Sequence, residues 1–92
     1  GHSVDNDLQT LRQQIDQLDS ELLEILAKRM NVALEIGRLK KSHNLPVLQP
    51  QRYEALMKSR VEEAAALGLD RDFTSSILAA LHAESVNRQL NL

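Results

Sequence analysis

Residues 8–43 read LQTLRQQIDQLDSELLEILAKRMNVALEIGRLKKSH. Apolar side chains recur at Leu8, Leu11, Ile15, Leu18, Leu22 and Ile25, then at Val32, Ile36 and Leu39. This heptad-like spacing predicts one long amphipathic helix rather than strands, whose side chains would alternate every second residue. Asp5, Asn6 and Asp7 precede it as N-cap candidates, and Lys40, Lys41 and His43 suit its negative end. At 1.5 Å per residue such a helix is roughly 50 Å long. A compact chain of this size has a radius of gyration of only about 12 Å. The helix therefore overshoots any globule its own chain can build, and a second copy is the simplest cover for its stripe.

The rest of the chain is also helical in pattern. Asn44-Leu45-Pro46 ends the first helix, because proline disfavours helix at the residue before it. Pro50 occupies a first-turn position, a second helix runs from there to about Leu67, and Gly68 is its expected C′ residue. Asp70 or Asp72 caps a third helix, whose stripe is Phe73, Ile77, Leu78 and Leu81 and which continues to about Leu90. The predicted class is all-α: one long and two shorter helices per subunit, in an intertwined homodimer. Residues 1–7 read as a tag remnant and leader, residues 8–92 as the domain, and the missing initiator methionine reads as a domain cut from a longer protein.

Composition agrees. Of the 92 residues 42% are hydrophobic but only 2% aromatic, and there are 3 glycines and 2 prolines. Aliphatic side chains with few turn formers describe packed helices better than sheets. A net charge of -2 without a basic run argues against a nucleic-acid or anionic-membrane surface. No stretch is apolar enough to span a bilayer. With no cysteine there is neither a disulfide framework nor thiolate chemistry, which fits a cytoplasmic protein.

Several polar residues stand where apolar ones are due. Arg29 interrupts the stripe of the first helix, and Lys40, eleven residues on, lies within about 20° of it around the axis. Ala33 and Gly37 between them are small. Gly37 in mid-helix costs up to about 1 kcal/mol against alanine, so a packing or binding reason is expected. Two cations flanking a shallow floor suit a small polyanion; two cations snorkelling from the helix edge would give the same spacing. Ser85 and Gln89, four apart, continue the third helix's stripe, as either buried polar groups in need of partners or a frayed end. Arg52 is an unusual charge in a first helical turn, which an anion, a nearby carboxylate or exposure would relieve. Arg12 lies about 100° from Arg29 around the same helix, so within one chain the two cannot serve one pocket. His43 and His82 lack metal-ligand spacing, and no nucleophile triad, phosphate loop or acid/base pair appears. Any catalysis here would rest on positioning and electrostatics.

The runs 11–15 (LRQQI), 26–30 (LAKRM), 35–40 (EIGRLK), 46–52 (PVLQPQR) and 84–89 (ESVNRQ) together resemble the all-α class of chorismate mutases. The resemblance covers nearly the whole chain after Asn6. It implies two subunits woven around their long helices, and two active sites, each completed by Arg12 of the other subunit. Arg12 and Arg29 would bind the carboxylates of chorismate, with Arg52 adding positive charge. Lys40 and Gln89 would hydrogen-bond the ether oxygen, and Ser85 would help place a carboxylate. The chain departs from the family at Gln49, where an acid is frequent, and at Tyr53, where a glutamate usually binds the ring hydroxyl. Either residue could take over that contact. No cofactor or metal is implied, since the rearrangement is unimolecular. Such domains also occur in fusions, and a DAHP synthase partner is expected here. An isochorismate-pyruvate lyase and a non-catalytic helical dimerisation or regulatory module remain as alternative readings.

Overall fold

A computed structural model describes residues 2–92. It contains three α-helices: α1 (His2–Ser42), α2 (Pro50–Ala66) and α3 (Arg71–Leu90). The described residues form no strand. The all-α reading and the three-element order therefore hold.

The first helix begins earlier than its apolar pattern. It already includes residues 2–7, and Thr10 donates its hydroxyl to the Asn6 carbonyl inside the helix. Asp5, Asn6 and Asp7 are thus helical rather than capping residues. Residues 2–7 contain neither glycine nor proline to stop the helix, and Asp5 in the first turn complements its positive end.

Four of the helix ends have an identifiable chemistry. At the end of α1, Asn44 adopts the left-handed conformation, with φ 55°. The Leu45 N–H donates to the Lys40 carbonyl at 2.8 Å and the Asn44 N–H to the Lys41 carbonyl at 3.3 Å. This is a Schellman closure with asparagine at C′, so the stop is made at Asn44, two residues before Pro46. The same closure ends α2: Gly68 has φ 89°, its N–H donates to Ala65, and the Leu69 N–H donates to Ala64, both at 3.0 Å. Pro50 opens α2 as expected, behind Gln49, whose side chain makes no capping bond. Of the two candidate caps for α3, Asp70 serves: its carboxylate accepts from the Phe73 N–H at 2.9 Å. Asp72 lies inside the first turn.

A Cβ at Gly68 would meet nothing within 4 Å, so a side chain there is penalised by backbone conformation alone. Gly68→Ala should cost about 1–2 kcal/mol, lowering the Tm by several degrees at fixed protein concentration without changing the helical circular dichroism. An unchanged Tm would mean that the turn relaxes out of the left-handed region.

The chain comprises two compact units, residues 1–31 and residues 32–92, with α1 contributing to both. In the first unit the apolar stripe is largely bare: Leu11, Ile15, Leu18, Leu22 and Ile25 are each 53–59% exposed. In the second unit α2 and α3 form a helical hairpin across the Gly68 turn, with an Arg71–Glu62 ion pair on its surface. Ala33, Ala64, Thr74 and Ser85 are buried there. Large apolar side chains do not fill this unit; Ile36, Phe73 and Ile77 remain more than 40% exposed.

Candidate active site

Lys40 lies near the C-terminal end of α1, half-buried. Its ammonium donates to the Val47 carbonyl at 2.9 Å and to Gln89 Oε1 on α3 at 3.3 Å. The second bond joins residues 49 apart in sequence, so tertiary packing makes the pair. It also sets the polarity of the site. With Oε1 turned to the ammonium, both protons of the Gln89 amide remain for another acceptor. The two bonds likewise leave one of the three ammonium protons. Lys40 and Gln89 thus present adjacent donors, a cationic one and a neutral one.

Gly37 makes this approach possible. A Cβ at Gly37 would lie 2.8 Å from Gln89 Cγ, closer than carbon atoms pack, and 3.1 Å from Gln89 Cβ, a tight contact. Leu92 Cδ1, at 2.8 Å, crowds the same spot. The packing reason expected for a mid-helix glycine is therefore the seating of α3 on α1.

Ser85 is buried, and its hydroxyl donates to the Leu81 carbonyl at 2.8 Å. His82, Ser85 and Gln89 follow the i, i+3, i+7 spacing that places residues on one helix face. His82 also carries Tyr53 of α2: the two rings stack with centroids 3.9 Å apart and planes 26° apart. One face of α3 thereby gathers Gln89 with its Lys40 partner, Ser85, and His82 with its Tyr53 partner.

The other expected residues outside this face are exposed. Arg52 and Gln49, in and before the first turn of α2, are exposed. Arg12 and Arg29 belong to the first unit, where both are exposed on α1. An open hollow of about 530 Å3 also lies in the second unit, lined by Gly37, Lys41, Leu45, Val47, Gln89 and Leu92 among others. Of the expected site residues, Gln89 alone lines it. Among the described residues no cluster has the composition of a metal site, and no helix is long and apolar enough to cross a membrane.

Two contributors are absent from the sequence reading. The Val47 carbonyl is a backbone group and carries no signature in residue type. His82 lacks metal-ligand spacing, but its spacing to Ser85 and Gln89 places it on their helix face.

Known proteins resemble the chain over most of its length. The chain is 39% identical over 79 residues to the T-protein of Enterobacter agglomerans, covering 86% of this chain and 21% of that protein. It is 33% identical over 79 residues to the 4-amino-4-deoxychorismate mutase of Streptomyces venezuelae, covering 77% of that protein. It is 31% identical over 85 residues to the bifunctional chorismate mutase/prephenate dehydratase of Escherichia coli K12, covering 22% of it. The chain thus spans about a fifth of the T-protein and of the bifunctional enzyme. None of these three is named as a DAHP synthase, so the fusion partner expected from the sequence finds no support among them. The chorismate mutase type II family matches residues 11–90, which include every expected site residue, and the chain belongs to that family.

Proposed function

We propose that the chain rearranges chorismate to prephenate without a cofactor, and that Lys40 and Gln89 carry the chemistry. The observation that supports this most directly is the Lys40–Gln89 pair itself, with donor protons left over on both side chains. The reaction is an intramolecular Claisen rearrangement: the ether C–O bond breaks as a C–C bond forms, and no proton or nucleophile is required. Negative charge grows on the ether oxygen in the transition state, where preorganised donors are most effective. Binding the compact conformer supplies the rest. In this reading Arg29 and Arg12 hold the two carboxylates, Arg52 adds positive charge, Ser85 helps place a carboxylate, and Tyr53 or Gln49 meets the ring hydroxyl. A cationic set of this kind suits a dianion.

The test is turnover with product identification on chorismate and on isochorismate. Prephenate from chorismate is the expected result. Pyruvate released from isochorismate at a higher rate would instead make the chain a lyase. Turnover of neither substrate, together with failure to bind a chorismate analogue, would leave a helical interaction module.

The active species in this proposal is a cytoplasmic homodimer in which Arg12 serves the partner's site. The bare stripe from Leu8 to Ile25 supports it. These side chains are already about half covered, so covering the rest contributes roughly half of the 1.5–3 kcal/mol of full burial for each. Summed over two copies this is about 10–18 kcal/mol, the same scale as the roughly 4–15 kcal/mol that association costs in lost freedom. Light scattering over a dilution series should report a two-chain mass. A folded monomer at micromolar concentration would exclude the intertwined arrangement.

A further inference from the structure

Tyr53 stacks on His82, a residue with no role in the site proposed above. The two come from different helices and are both half-buried, and the ring contact is close and nearly parallel. A phenol at the start of α2 has rotational freedom about two side-chain torsions. A ring laid flat on it removes most of that freedom and leaves its edge and hydroxyl to be presented. His82 is itself fixed on the α3 face that bears Ser85 and Gln89.

We propose that His82 is a positioning residue that holds the Tyr53 phenol against the α3 face that also bears Ser85 and Gln89, so that the Tyr53 hydroxyl meets the ring hydroxyl of the substrate. This rests on the proposed mutase function. His82 touches no substrate; it acts through the orientation of Tyr53. The pair is a specificity element: it offers a neutral hydroxyl where a carboxylate would otherwise stand, and it reads the ring substituent without adding negative charge to a pocket built for a dianion.

The chain has one tyrosine and no tryptophan, so the near-ultraviolet circular dichroism of tyrosine reports on Tyr53 alone. That band should be lost in His82→Leu and retained in His82→Phe, which can still stack. In kinetics, Tyr53→Phe should raise KM by about tenfold, the scale of one neutral hydrogen bond, with a smaller change in kcat. His82→Leu should reproduce that KM effect, and His82→Phe should recover most of it. In the Tyr53→Phe background His82→Leu should have little further effect, because the hydroxyl it positions is already gone. Should His82→Leu fail to fold, His82→Gln against His82→Phe gives the same contrast between a side chain that cannot stack and one that can.

The inference is overturned if His82→Leu leaves KM unchanged, or if its effect adds in full to that of Tyr53→Phe. A parent chain that turns over no chorismate overturns the proposed function, and the substrate role of the pair with it. The near-ultraviolet band then still decides whether His82 orders the ring.

Discussion

Lys40→Ala should lower kcat/KM for chorismate by at least about a hundredfold, the scale of removing one preorganised donor from a developing oxyanion. The loss is expected mainly in kcat, because the charge that Lys40 faces is larger in the transition state than in the ground state. Two effects add. The cationic donor itself is gone, and Gln89 Oε1 loses the partner that turns its amide outward. Lys40→Arg should not restore activity, since a planar guanidinium cannot occupy the position of an ammonium that also bonds the Val47 carbonyl. The companion variant Gln89→Glu separates the roles. A protonated glutamate can donate to the ether oxygen, whereas an ionised one repels it. Lys40 at hydrogen-bonding distance favours the ionised form. Activity in Gln89→Glu should therefore be low at neutral pH and rise as pH falls. A flat profile at parent activity would remove Gln89 from the site, and a Lys40→Ala enzyme of near-parent kcat/KM would remove the ammonium.

Gly37→Ala should be nearly as damaging, although no functional group is lost. By helix propensity alone the substitution stabilises α1 by up to about 1 kcal/mol. Sterically it places a methyl 2.8 Å from Gln89 Cγ. Leu92 Cδ1, equally close, is the tip of a side chain and can swing aside, whereas Cβ and Cγ of Gln89 are the root of theirs and move only with the backbone or with a change of rotamer. Either α3 shifts outward at its end or Gln89 changes rotamer, and both draw the amide away from Lys40. A displacement of about 1 Å at a reacting centre costs on the order of a hundredfold in rate. The two influences therefore have opposite signs in different measurements. Activity should fall by about that factor, while helical content stays at the parent level. Near-parent activity with a raised Tm would show that the end of α3 yields at no cost to the site.

The two glycines of the fold illustrate what residue type reveals. Gly68 was readable as a turn glycine because it follows an apolar helical run and needs a positive φ, which is a property of the local backbone. Gly37 was readable only as an anomaly. Its reason is the side chain of Gln89, 52 positions away, and no local pattern encodes that approach. Asn44 lies between these cases: the break near Pro46 was apparent, but the left-handed stop two residues earlier became visible only in the backbone geometry. The early start of α1 was missed because an apolar stripe marks the face that packs, whereas a helix extends as far as its backbone finds no breaker.

Helix number, order and approximate limits were thus determined by the sequence, because periodicity, proline and capping chemistry act over a few residues. The candidate residues Lys40, Ser85 and Gln89 were also legible, as polar groups on apolar faces. Tertiary structure alone decided which of them meet. The Lys40 ammonium bonds Gln89 and a backbone carbonyl that no residue type announces, and Tyr53 lies on His82, a residue whose own spacing marked nothing but a helix face. The physical reason is range: hydrogen bonds and ring contacts form over 3–4 Å of space, and packing, not spacing along the chain, brings distant residues within that reach.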